Sequence, residues 1–341
     1  FERRVCAVQR GLYDMRSPWD RVRRGFLLFG AVFLGSVCAY RLLGYPWIEA
    51  VWMVVITIAI EFKGTPMITV PMLLANLGHD LQRYSDGRFI MGLGTQIKPH
   101  ITKRFSMEWS HPAARMREMV LAMRAIWNTW LTGEKLDFRG EFYTHTLMTP
   151  FFDPGPNPFG PPPVWLGGVG PLMTEVAGEV ADGLIVHPFS NMPFLVDHAL
   201  PAVNAGLQKA GRQRKDFTLQ INAIIITGET DEAIAAATDS VRWLLGFYAS
   251  TPAYRPPMEA VGYGDLQPEL NRLSKEGKWE ELGRHIDEDF LEAFTTRGKP
   301  DDIAGLLKDK YGPYADRLAV YAPYAAPDAM WSSILAGLKA G

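Results

Sequence analysis

Cysteine is almost missing from this chain. Cys6 and Cys38 are the only two in 341 residues, too few for a disulfide framework. An excess of charge of one sign is lacking too. Thirty-five Lys and Arg against 37 Asp and Glu leave a formal charge of −2, which removes any whole-chain case for nucleic-acid binding. The 7 histidines never pair with carboxylates at metal-ligand spacing, and no cysteine lies beyond residue 38, so no metal site is expected. Gly92 and Gly94 lack the third glycine of a dinucleotide fingerprint. What is present is apolar sequence, 48% against 21% charged, which excludes wholesale disorder and supports a large core. At roughly 150 residues per domain, the length suggests two domains or one large barrel.

Charge is unevenly divided. Residues 1–60 carry 8 basic against 4 acidic side chains, so the remainder carries 27 against 33. The chain opens on Phe1, and its true start is expected to lie further upstream. Gly25–Tyr40 is free of charge and with 41–44 reaches a length about right for a membrane-spanning helix of ~20 residues. Arg21, Arg23 and Arg24 before it would hold its N-terminal side in the cytoplasm. The alternative is a buried core helix. Tyr45-Pro46-Trp47-Ile48-Glu49 and a second apolar run, Ala50–Ile60, come next. Basic flank, apolar helix and Pro-Trp-Ile-Glu turn together resemble the outer and pore helices of a tetrameric potassium channel. The carbonyl-lined filter of that family does not follow, so a working pore is not implied. Val261-Gly262-Tyr263-Gly264 looks like such a filter, but the three prolines of Thr251–Pro257 exclude a pore helix before it.

From about Ile56 onward, short apolar strands alternate with amphipathic helices, which implies βαβ units and a parallel sheet. Strands are expected at 54–60, 89–93, 164–166, 184–186, 219–226 and 318–321. Helices are expected at 112–130, with Ser110 as cap, then at 172–180, 194–210, 231–245, 300–310 and 328–338. Seven prolines between Pro150 and Pro163 read as a loop inserted to shape a site, and 250–296 as a long irregular and helical segment. A closed barrel of this class needs about eight strands.

Chemistry in such barrels gathers at the carboxyl ends of the strands. Gly94, Thr95 and Gln96 end one strand, where glycine lets backbone approach a flat ligand. Gly167, Gly168, Val169 and Gly170 join a strand to a helix N-terminus, an arrangement suited to cradling an anion or phosphate, or equally a plain tight turn. His187 ends the next strand at the same mouth, as a candidate acid–base group or as a structural histidine. Aromatic and proline residues near 150–163 and 247–263 suggest an apolar substrate pocket.

Leu81-Gln82-Arg83-Tyr84-Ser85-Asp86-Gly87-Arg88-Phe89-Ile90-Met91-Gly92-Leu93-Gly94 resembles a signature of the bacterial-luciferase-like superfamily of flavin- and deazaflavin-dependent oxidoreductases. Phe138–Tyr143, Pro163–Gly170, Ala181-Asp182-Gly183 and Gly298–Asp302 extend the resemblance in the family's order. Gln96–Phe105 and Tyr248–Pro257 lean toward enzymes that use the deazaflavin coenzyme F420. The resemblance implies an α/β fold, a (β/α)8 TIM-barrel-like domain over 56–341, apparently lacking its first two βα units behind an N-terminal hydrophobic helical segment at 1–55. It implies hydride transfer between F420 and a small organic substrate, with the cofactor phosphate on Gly167–Gly170 and the ring near Gly94, Thr95 and Gln96. An FMN-dependent monooxygenase on the same barrel is the enzyme alternative; a membrane-anchored channel fragment is the non-catalytic one. Some deazaflavin relatives place a glutamate where this chain has Ile97, so proton transfer would fall to another group such as His187 or be unnecessary. The chain thus reads as a junction near 56–62 of two unrelated sequences, whether fusion, assembly error or chimera. The expected product is a cytoplasmic barrel domain, tethered to a membrane through residues 25–44 if these span it, and a homodimer by family resemblance.

Overall fold

The structure, a computed structural model, describes residues 70–340. The membrane-like stretch 25–44, the channel-like residues 1–56 and the strand expected at 54–60 lie outside the described residues. Among those described, no helix is long and apolar enough to cross a membrane.

The first described element is helix α1, Val70–Tyr84, followed by strand β1, Met91–Leu93. Helix α2, Pro112–Thr132, starts with proline at its first position and stops at Gly133, whose φ of 75° a side chain would disfavour. Its cap is His111; Ser110 instead accepts a 2.9 Å hydrogen bond from Arg115 Nε. Strands β2, Phe138–Arg139, and β3, Thr144–His145, form a small antiparallel hairpin. The alternating units are then β4, Val164–Gly168, α3, Pro171–Val180, β5, Gly183–Val186, α4, Leu200–Lys209, β6, Thr218–Thr227, and α5, Asp231–Ala249. Thr230 caps α5 by accepting from the Ala233 amide at 3.2 Å. Helices α6, Arg255–Glu259, α7, Gln267–Lys275, and α8, Glu288–Phe294, occupy the segment expected to be irregular and helical. Strand β7, Thr295–Gly298, helix α9, Pro300–Tyr311, strand β8, Arg317–Tyr321, and helix α10, Asp328–Lys339, close the order.

Six strands make one sheet, every pair parallel. β1, β4, β5 and β6 lie side by side. Gln220 and Ile221 have β5 on one side and β8 on the other, while Ile224 is bridged to both Thr295 and Tyr321. β5 and β7 therefore follow one another along one edge of β6, and β8 runs along the other. Within the described residues the sheet is open, with six of the eight strands that a closed barrel of this class needs. Five of the six strands answer to expected ones, and β7 is an addition that the sequence did not suggest; the strand expected at 54–60 lies outside the described residues.

Register sorts the side chains into two faces. Val164, Leu166, Leu184, Val186, Leu219 and Ile221 fall on one and are buried under α2, α3 and α4. At about 25 cal/mol per Å2 of apolar area, this burial is the main support of the sheet. Trp127 Nε1 donates to the Ala75 carbonyl at 2.9 Å and ties α2 to α1. Gly92, Gly167, Ile185, Gln220, Asn222 and Ala319 fall on the other face, none of them fully buried. Small and polar residues thus share what would be the barrel interior with Trp165, Ile185 and Ile224.

The proline-rich loop does not shape this face. It precedes β4 and so lies at the amino ends of the strands, packed on α1: Asn157 Nδ2 donates to His79 O at 2.8 Å, and Phe159 lies against Gly87. A hollow between His79, Trp127, Trp130 and Pro161 has about 10 Å3 of room, enough for one water at most.

Candidate active site

Parallel pairing places the ends of β1, β4 and β5 near one level, that of mid-β6, because Leu93 pairs Leu166 and Gly168 pairs Val186, itself paired with Ile221. The sequence-predicted groups thus share the carboxyl end of the sheet. Gly94 has no atom within 4 Å of where a Cβ would stand, so the backbone there is open to a ligand. Thr95 donates weakly to the Gln96 carbonyl at 3.3 Å, and Gln96 adopts a left-handed φ of 59°. Such a conformation is uncommon for a residue with a side chain and marks a tightly specified turn.

The β4–α3 junction is built as a cradle. A Cβ on Gly168 would stand 2.8 Å from Met173 Cγ, so glycine lets the first helical turn close over the strand end. Val169 leads on to Gly170, whose carbonyl accepts from both the amide (3.1 Å) and the hydroxyl (3.0 Å) of Thr174, fixing that turn. Pro171 has no N–H, and the amides of Leu172 and Met173 have no partner among the described residues. Gly170 supplies no capping side chain. Two free donors at the positive end of a helix, beside three glycines, suit a phosphate.

His187 follows Val186 and so falls on the open face. Its ring is tilted on Tyr254, with centroids 4.5 Å apart, and stands edge-on to Tyr248 at 5.0 Å. The Phe189 amide donates to its Nδ1 at 3.1 Å, which leaves the proton of the neutral ring on Nε2. Burial pushes its pKa down to about 4. At neutral pH this is an uncharged ring with Nε2–H as its donor. Asn222 donates to the Val186 carbonyl at 3.1 Å and accepts from Gln220 Nε2 at 3.1 Å, bringing an amide beside His187. Tyr248 reaches Tyr321, at the end of β8, with hydroxyl oxygens 3.3 Å apart. Burial raises the pKa values of Tyr248 and Tyr254, so both remain protonated. The aromatic segment near 247–263 does line this mouth. Sequence reasoning missed Asn222 and Tyr321; their alternation within β6 and β8 was the available signal.

Asp182 has a structural task. Its carboxylate accepts from the Val164 amide at 2.7 Å and from Arg124 at 2.9 Å, at the amino end of β4. Asp316 repeats the device on β6, accepting from the Leu219 amide at 2.7 Å. Among the described residues no group of acidic, histidine or cysteine side chains could hold a metal ion.

A parallel sheet with helices over one face, and a glycine-lined loop running into a helix N-terminus at its carboxyl end, define an α/β fold. The chain belongs to the luciferase-like monooxygenase family, which matches residues 64–317. An uncharacterised protein of Mycobacterium tuberculosis is 51% identical over 261 residues, 76% of this chain and 75% of the relative. An F420-dependent glucose-6-phosphate dehydrogenase of Nocardia farcinica is 34% identical over 153 residues, 44% of this chain and 43% of the relative. Among solved structures, the F420-dependent tetrahydromethanopterin reductase of Methanopyrus kandleri superposes with a TM-score of 0.62 at 20% identity, covering 80% of this chain and 79% of that one. The potassium-channel resemblance, and the chimeric junction that it implied, find no support in these comparisons.

Proposed function

We propose that this protein is an F420-dependent oxidoreductase acting on a small organic substrate at the carboxyl end of the sheet. The observation that carries this reading is the free amide pair of Leu172 and Met173, opening beside Gly167–Gly170 at the level of His187. A phosphate would be held there by Val169, Gly170 and the two amides, and a flat ring admitted by the bare backbone of Gly94, Thr95 and Gln96. F420-dependent relatives support the choice of cofactor.

Bound F420 would supply a hydride donor or acceptor that does not readily activate oxygen. The protein's part is to hold, orient and exclude water. His187 offers Nε2–H as a fixed donor, its ring clamped by Tyr248, Tyr254 and the Phe189 amide. Fixed neutral donors need little reorganisation when charge shifts on a bound ligand.

A fluorescence titration of the full chain with F420 and with FMN tests the reading. Saturable F420 binding is expected. Failure of the folded chain to bind F420 rejects it, and tighter binding of FMN turns it toward a monooxygenase.

A further inference from the structure

Phenol groups near the site fall into two kinds. Tyr324 accepts from the Thr227 amide and donates to the Ile225 carbonyl, both at 3.0 Å, and Tyr263 donates to the Asp287 carboxylate at 2.8 Å. These hydroxyls are spent on holding loops to the scaffold. Tyr248 and Tyr321 have each other at 3.3 Å and no further hydrogen-bond partner among the described residues. Two hydroxyls that satisfy one another use one of their two protons, so one O–H and several lone pairs stay open. The contact is long for an O–H···O bond and gives way readily to a better acceptor.

The pair is also well placed. Tyr321 ends β8 at the register of Ile224, is 37% exposed, and shares the open face with Asn222 and Ala319. Tyr248 stands edge-on to His187. The rim formed by His187, Asn222, Tyr248, Tyr254 and Tyr321 contains amide, imidazole and phenol groups, with no carboxylate, ammonium or guanidinium among these five. An anionic group brought against them would lose water without meeting a counter-charge. A carbonyl or alcohol oxygen would exchange one hydrogen bond to water for one from a phenol, with ring faces of Tyr254 and Tyr248 beside its carbon skeleton.

We propose that the paired hydroxyls of Tyr248 and Tyr321 are the substrate anchor, selecting an uncharged ketone, aldehyde or alcohol oxygen over an anionic group. The assignment rests on the oxidoreductase reading above for its meaning in a reaction, and it concerns binding, so it is testable without turnover. Tyr321 and Tyr248 are specificity and positioning residues in this scheme.

The test uses saturation-transfer NMR on the full chain loaded with oxidised F420, with cyclohexanone as the neutral probe and cyclohexanecarboxylate as its anionic counterpart. Tyr321→Phe and Tyr248→Phe keep the rings and remove one hydroxyl each. The wild type should bind cyclohexanone and exclude the carboxylate, and each variant should bind the ketone about fivefold more weakly with F420 affinity held within about twofold. Ketone affinity unchanged in both variants overturns the proposal, as does tighter binding of the carboxylate or no ketone binding by the wild type. Should F420 fail to bind while the ketone binds with the same dependence on both hydroxyls, the cofactor reading falls and the anchor stands.

Discussion

Gly178 of α3 and Gly206 of α4 make room for each other's helix. A Cβ on Gly178 would run into the Val203 carbonyl oxygen, and one on Gly206 into the carbonyl of Glu175. The two backbones therefore touch where side chains would normally separate helices by 8–10 Å. This crossing fixes α4 against α3, the helix whose N-terminus forms the cradle.

Gly206→Ala should destabilise the protein by about 1–3 kcal/mol, because backbone cannot yield as a flexible side chain can. Gly178→Ala should cost about as much, and the double variant less than the sum, since one intruding Cβ already opens the crossing. Urea midpoints of the three variants measure this; strict additivity would contradict a shared crossing.

Glu118 of α2 holds the β2–β3 turn. Its carboxylate accepts from the amides of Glu141 (2.9 Å), Phe142 (2.7 Å) and Tyr143, and Gly140 lacks the Cβ that would collide with it. Glu118→Gln should cost about 1 kcal/mol and Glu118→Ala about 2–3 kcal/mol, because hydrogen bonds to a charged acceptor are the stronger kind. Amide exchange at Phe142 and Tyr143 should rise more than exchange at core positions such as Leu219.

At Gly170 stability and binding should part company. The residue has an extended backbone, φ −71° and ψ 149°, with no atom within 4 Å of a new Cβ. Gly170→Asp can cap α3, satisfying one of the free amides, and gain a few tenths of a kcal/mol. The same carboxylate occupies the cradle and repels a phosphate, so F420 affinity should fall by at least about tenfold. Thermal unfolding paired with the F420 titration separates the two effects; unchanged affinity would mean that the phosphate does not sit there.

His187 gives a pH dependence of known sign. Its folded pKa lies near 4, below the ordinary value of about 6.5 for an unfolded histidine. Between those values the unfolded chain takes up a proton that the native ring refuses. The contribution of this residue is thus complete above about pH 6.5 and is lost as pH falls toward 4, by at most ~3 kcal/mol. His187→Asn should flatten that part of the stability curve. Comparing variant and wild type from pH 7.5 to 4.5 cancels other groups, among them His145, whose pKa burial also lowers.

Much of this architecture is legible in the sequence where burial and periodicity coincide. β4 through α5 repeat a short apolar strand and an amphipathic helix, and Val164, Leu184 and Leu219 are at most 1% exposed. β7 escaped notice because Thr295-Thr296-Arg297-Gly298 has no apolar run; it is a strand because β6 offers it an edge. The glycines at 94, 167, 168 and 170 were readable as places where backbone can be approached closely. The chemistry of His187 was not, since its tautomer depends on the Phe189 amide and its charge on Tyr248 and Tyr254, all brought close only by folding. The proline loop was misplaced for a topological reason: a segment that enters a strand belongs at its amino end, whatever its composition.

β6 is flanked on both edges, and Ile221, Ala223, Ile224 and Ile225 are each at most 3% exposed. Local opening begins where backbone is least protected, so this strand is the segment that breathes last. Asn222 belongs to it, and His187 and Tyr321 follow or end the strands bridged to it. The rim of the site is therefore wired to the slowest-opening part of the described unit. Partial melting at the hairpin or the proline loop can proceed while the rim stays assembled, and loss of the rim coincides with loss of the sheet itself.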